Sequence, residues 1–219
     1  MIKQNKITIP SIFFLTVVVL HLYGLVSNTT IAFYTKPFLM ISLVIVYLTS
    51  TRSPSFWYVS ALFFSFWGDV LLLFKESLFV YGLASFLLAH LFFIKVTLGF
   101  LQKISLKQVV VSSFPFVIFL FGLLYLIKDN LGVMLIPVVV YGITISSFGA
   151  VALLNYINKK TTENLWLFLG AVFFIASDGM IAIHRFYEPQ EIYSISIMIT
   201  YIVAQYLICK AIIVKNPKH

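Results

Sequence analysis

Residues 109–127 read VVVSSFPFVIFLFGLLYLI, nineteen positions without a charge. As a helix rising about 1.5 Å per residue, this run is close to the roughly 30 Å hydrocarbon thickness of a bilayer. Lipid offers no water to backbone N–H and C=O groups, so a segment that crosses it must satisfy them internally as a helix. The stretch therefore predicts a transmembrane helix. Working outward, runs of the same kind recur at 8–26, 31–49, 55–74, 78–98, 131–156, 162–185 and 191–213, making eight in all.

The connections are short. Ser27-Asn28-Thr29-Thr30, Thr51-Arg52-Ser53-Pro54, Lys75-Glu76-Ser77, Gln102 to Gln108, Lys128-Asp129-Asn130, Asn158-Lys159-Lys160-Thr161 and Glu188-Pro189-Gln190 separate the runs. Loops this short make sequential helices antiparallel neighbours. The expected fold is all-α, a polytopic membrane bundle of eight transmembrane helices with short loops, in one integral membrane domain over residues 1–219.

Composition agrees. Of 219 residues, 61% are apolar and 10% charged, against about 25% charged in a soluble domain. The net charge of +8 sits at the ends of apolar runs, where it reads as anchoring and orientation and not as a nucleic-acid surface. With the N-terminus cytoplasmic, the inner segments hold Lys3, Lys6, Arg52, Lys103, Lys107, Lys159, Lys160, Lys215 and Lys218. The outer segments hold Lys75, Lys128 and Arg185. The excess of inner cations predicts both termini on the cytoplasmic side, in the inner membrane if the source is bacterial. The first run, after Lys3 and Lys6, lacks a small-residue cleavage site near Val26-Ser27-Asn28 and reads as a retained helix. The single cysteine, Cys209, excludes an internal disulfide and a cysteine-based metal site.

Ionisable residues in hydrocarbon are costly, so each is a candidate for function. Asp69 and Asp178 are the two carboxylates well inside apolar runs. Lys36 and His90 are the cationic candidates, and Tyr141, Tyr201 and Gln205 the neutral ones. Tyr201 and Gln205 are one turn apart and share a helix face. In the orientation above, these residues from six helices lie roughly 8–18 Å below the outer surface, the depth of a polar pocket open to one leaflet.

Each residue also has a purely structural reading. The aspartates can pair with Lys36 or Arg185 to hold the bundle. His90 can be a satisfied core histidine. Tyr141, Tyr201 and Gln205 can be interhelical hydrogen bonders. Lys95 and Lys210, near cytoplasmic ends, read as snorkelling. Asp69, Asp178 and His90 could supply the three protein ligands of a catalytic zinc, but no paired-histidine motif accompanies them, so no metal is expected. No cofactor motif is present.

Taken in order, these residues resemble the YhhN family of multi-pass proteins. The matching pieces are Lys36-Pro37, Gly68-Asp69, Ala89-His90, and Pro137 with Tyr141. They continue with residues 170–178, GAVFFIASD, and residues 201–208, YIVAQYLI. The resemblance implies a lysoplasmalogenase, which hydrolyses the vinyl-ether bond of a lysophospholipid to a fatty aldehyde and glycerophosphoethanolamine or glycerophosphocholine. That chemistry needs a proton donor and a carboxylate that steadies cationic charge and activates water, as glycosidases do with two carboxyls. Asp69 and Asp178 are the expected pair. Lys36 would bind the lipid phosphate or bias one aspartate. His90, Tyr141, Tyr201 and Gln205 would orient water or the headgroup. The expected partners are a lysophospholipid substrate and the bilayer, with no nucleic acid. The alternative is a small-solute or ion transporter using the intramembrane acids.

Overall fold

A computed structural model describes residues 2–215, with side chains from Thr8 onward except Lys75. Lys218 of the orientation argument lies outside the described residues, as do the side chains of Lys3, Lys6 and Lys75. Among the described residues the chain forms eight α-helices and no strand: α1 (Ile2–Ser27), α2 (Thr29–Ser50), α3 (Phe56–Leu71), α4 (Lys75–Leu98), α5 (Leu106–Ile127), α6 (Leu135–Asn158), α7 (Thr162–Phe186) and α8 (Glu191–Lys215). All eight are long and apolar enough to span a membrane, over 19 to 27 residues with mean hydropathy of 1.6 to 2.4.

The helix boundaries follow local capping, and four connections are shorter or differently shaped than the sequence suggested. Ser27 to Thr30 collapses to Asn28, whose side chain accepts hydrogen bonds from the backbone N–H groups of Thr30 (3.0 Å) and Ile31 (3.4 Å). A capping asparagine satisfies two of the four donors that a helix start leaves open, so α2 can begin at once. The basic loop ends early because Ser105 and Gln108 form a reciprocal capping box that starts α5 at Leu106. Lys75 to Ser77 belongs to a longer turn: a 3-10 turn at Leu72–Phe74 precedes it, and although α4 is counted from Lys75, a kink at Leu78 (φ −116°, ψ 15°) sets Lys75–Ser77 off from the long helix that follows. The α5–α6 connection comprises two 3-10 turns, Lys128–Asn130 and Gly132–Met134.

The helices pack as antiparallel hairpins, α1 with α2, α3 with α4, α5 with α6 and α7 with α8. The hairpins join through α4 against α6, α6 against α7, and α8 against α1 and α2. Lipid tails are as apolar as leucine, so close packing and polar contacts hold such helices together more than the hydrophobic effect does. Gly24 of α1 shows the close packing: a Cβ there would lie 2.5 Å from the backbone nitrogen of Ala32 on α2. At Gly170 of α7 a Cβ would meet Ile208 Cγ1 at 2.7 Å and the Ala204 carbonyl at 3.1 Å on α8. The core between helices holds Leu39, Leu43, Tyr47, Tyr58, Phe93, Phe148, Phe174 and Ile208. The outside is apolar instead: Val110, Phe114, Val117, Phe121 and Tyr125 of α5 are exposed, as a lipid-facing helix requires.

Candidate functional site

Asp69 stands near the C-terminal end of α3 and Ser65 one turn before it. On antiparallel α8, Tyr201 and Gln205 are also one turn apart, so the two faces meet in register. The Tyr201 hydroxyl donates to Asp69 Oδ2 (2.8 Å), and the Gln205 amide donates to Ser65 Oγ (3.2 Å) and to the Tyr201 hydroxyl oxygen (3.4 Å). These four side chains form a polar ladder between helices far apart in sequence. Asp69 is 2% exposed and Gln205 fully buried. Buried polar groups survive in apolar surroundings only when they are hydrogen-bonded.

A second pair repeats the arrangement. The Tyr141 hydroxyl of α6 donates to Asp178 Oδ2 of α7. In both pairs a phenol donates to one carboxyl oxygen, Oδ2. Asp69 and Asp178 lie within electrostatic range of each other.

The α4 residues Phe86 and His90 fill the middle. His90 is 1% exposed, and its Nδ1–H donates to the Phe86 carbonyl (2.7 Å). In the neutral ring Nε2 then carries the lone pair, and it has no hydrogen-bond partner among the described residues. The imidazole is packed edge-on against Phe174 (centroids 4.6 Å apart) and Tyr141 (5.5 Å), and Phe174 in turn against Tyr201 (5.4 Å). Rings from α4, α6, α7 and α8 thus hold both tyrosines in place.

Two cavities lie toward the end of the bundle opposite the termini. The smaller, about 50 Å³, is lined by Asp178, Tyr141 and Phe86 among apolar side chains. The larger, about 510 Å³, is lined by Lys36, His21, Glu76, His184 and Arg185 together with apolar residues. Leu72, Phe79 and Ile181 belong to both linings, so the cavities are neighbours. Lys36 is half-buried and within electrostatic range of Asp69. It connects the charged cavity to the buried acids. Arg185 lies over the Phe79 ring at 3.9 Å, a cation–π contact at the cavity edge.

All seven residues singled out from the sequence fall in this region. The structure joins Asp69 with Tyr201 and Gln205, joins Asp178 with Tyr141, sets His90 against Tyr141, and places Lys36 beside Asp69 electrostatically. Among the described residues no three His, Cys, Asp or Glu side chains come together as metal ligands. Lys95 and Lys210 lie over Trp57 (5.7 Å) and Trp166 (3.9 Å).

Sequence reading missed Ser65 and His21. Ser65 was available as the residue one turn before Asp69. His21 sits in the first apolar run beside no motif, and only its position against α2 brings it to the cavity.

Over 160 residues the chain is 37% identical to a protein named lysoplasmalogenase from Mycobacterium bovis, and equally to one of that name from Mycobacterium tuberculosis. Each match covers 69% of this chain and 58% of the relative, so the chain spans less than two thirds of the length of these relatives. No solved structure matches the chain significantly. Residues 31–212, which include both aspartates and both of their tyrosines, match the YhhN family, and the chain belongs to that family.

Proposed function

We propose that this multi-pass membrane protein is a hydrolase that cleaves the vinyl-ether bond of lysoplasmalogens, releasing a fatty aldehyde and glycerophosphoethanolamine or glycerophosphocholine. One observation carries the reading: two intramembrane aspartates, each held by a tyrosine hydroxyl, lie within electrostatic range of each other beside a cavity lined by cations. The relatives' name, lysoplasmalogenase, supports the same choice.

The reaction needs a proton delivered to the alkenyl carbon β to oxygen. The resulting oxocarbenium ion takes up water with loss of a proton, and the hemiacetal collapses to aldehyde and glycerol hydroxyl. One water is consumed; the donated proton stays on the product carbon, and the proton that the water loses to the carboxylate passes on to restore the acid. Asp178 lines the small apolar cavity, which at about 50 Å³ has room for the vinyl-ether end of the chain and not for its length, and would deliver the proton there. Asp69, beside Tyr201 and within range of Lys36, is placed to steady the cation and take the proton of the attacking water. Work of this kind by positioned side chains contributes roughly 10²–10⁴-fold each. The larger cavity, with Lys36 and Arg185 in its lining, takes the headgroup phosphate. Its 510 Å³ falls in the usual range for small-molecule sites. Both termini are assigned to the cytoplasmic side from the charge distribution.

The test uses purified protein in lipid nanodiscs with a 1-alkenyl lysophospholipid. Aldehyde and the glycerophospho-alcohol are measured together by mass spectrometry. Equimolar products from wild type, and at least about 100-fold less from Asp69→Asn and Asp178→Asn, are expected. Aldehyde release by either variant within about threefold of wild type rejects the assignment.

A further inference from the structure

The larger cavity carries charged and polar groups at two depths. Lys36 and His184 in its lining are half-buried, whereas Glu76 and Arg185 are exposed. Glu76, in the first turn of α4, is the one carboxylate among the described lining residues. His184 is a donor of fixed polarity. The backbone N–H of Gln190, just before α8, donates to its Nδ1 (3.2 Å). A backbone N–H cannot accept, so Nδ1 bears the lone pair and the neutral ring carries its hydrogen on Nε2. Tyr193 braces the ring edge-on, with centroids 6.0 Å apart. Unlike Nε2 of His21 and His90, Nε2 of His184 is not sealed inside the protein. The Arg185 guanidinium lies over the Phe79 ring (3.9 Å), a contact that leaves N–H donors for an oxygen.

Depth orders these groups as a zwitterionic headgroup orders its own charges. In a phosphoethanolamine or phosphocholine lipid the phosphate is joined to the glycerol, and the ammonium is the outer end. In the cavity the half-buried donors Lys36 and His184 lie deeper than the exposed carboxylate of Glu76. We infer that the larger cavity reads both charges of a zwitterionic lysolipid headgroup: His184 Nε2–H donates to a phosphate oxygen, and Glu76 takes the ammonium. This rests on the lysolipid reading of the site, but it concerns binding and not bond cleavage. A headgroup without the ammonium gains nothing at Glu76, so the site favours ammonium-bearing lipids. An exposed carboxylate–ammonium pair changes affinity only a few-fold, whereas a hydrogen bond to a charged phosphate is worth about tenfold.

The experiment measures binding to the full-length protein in nanodiscs. The ligands are a 1-O-alkyl lysophosphatidylcholine, which has no vinyl bond, its isostere with carbon in place of the ammonium nitrogen, and a 1-O-alkyl glycerol without phosphate. In Glu76→Gln the affinity ratio of choline lipid to isostere is expected to fall about three- to fivefold, with the isostere bound within about twofold of wild type. His184→Phe is expected to weaken both phosphate-bearing lipids alike, about tenfold, and to leave the alkyl glycerol within about twofold of wild type. A ratio unchanged in Glu76→Gln overturns the inference. So does a His184→Phe protein that binds the phosphate lipids as wild type does, or that loses the alkyl glycerol equally. Glu76→Gln alters one exposed group and decides the matter even where His184→Phe does not fold. Aldehyde release from the matching alkenyl lipid is followed in parallel. A ratio that falls in Glu76→Gln, without aldehyde from wild type, contradicts the hydrolase and leaves the headgroup contacts. Aldehyde with an unchanged ratio contradicts the contacts and leaves the hydrolase.

Discussion

At the residue scale, Tyr201 and Tyr141 each hold one oxygen of an aspartate, so the aspartates and their tyrosines can be separated by substitution. Tyr201→Phe and Tyr141→Phe keep the ring packing against Phe174 and His90 and remove the hydrogen bond donated to the aspartate, and at Tyr201 also the longer one accepted from Gln205. Each is expected to lower kcat about tenfold or more while the protein still inserts and elutes as wild type on size exclusion. That loss is smaller than for the Asp→Asn changes, because in the proposed mechanism a tyrosine positions the acid and the acid reacts. The aspartates stand out in the sequence because a charge within an apolar run is expensive. Their partners do not, since Tyr and Gln are ordinary membrane-helix residues. The turn spacing of Tyr201 and Gln205 is legible; that Ser65 and Asp69 stand opposite is not. His21 is the extreme case: nothing in its own helix marks it, and only its place in the cavity lining gives it meaning.

At the element scale, the eight apolar runs are readable because lipid makes an unpaired backbone group cost several kcal/mol. Helix ends are less readable because single side chains decide them. The Ser105–Gln108 box starts α5 three residues before the apolar run does. Ser105→Ala is expected to cost about 1 kcal/mol, read as a lower Tm in a detergent-stability series. Gly24 is a point of contact between elements. Gly24→Leu must push α1 from α2, since even a Cβ would sit 2.5 Å from the Ala32 nitrogen. A loss of about 1–3 kcal/mol is expected. An unchanged Tm would show that α1 and α2 do not depend on this contact.

At the scale of the whole molecule, an even number of antiparallel spans puts both termini at one end and the charged cavity toward the other. The Lys and Arg excess makes the cytoplasm the expected side of the terminal end. In a Cys209→Ser background, Val133→Cys, 95% exposed in the α5–α6 connection, is expected to react with a membrane-impermeant maleimide in intact cells. Gln102→Cys, exposed in the α4–α5 connection, is expected to react only after permeabilisation, and the reverse pattern inverts the topology. The bundle could be read from the sequence because the bilayer imposes one pattern on every span. Which side chains share a cavity could not, because register and rotation between distant helices come from packing at points such as Gly24 and Gly170.

The most direct measurement is aldehyde formation by the purified protein from a 1-alkenyl lysophospholipid in deuterated water. A proton delivered to the β carbon must leave one deuterium on the aldehyde carbon next to the carbonyl. The account predicts that label in the wild-type product, and at least about 100-fold less aldehyde from both Asp69→Asn and Asp178→Asn. No aldehyde from wild type, unlabelled aldehyde, or a near-normal yield from either variant would contradict it.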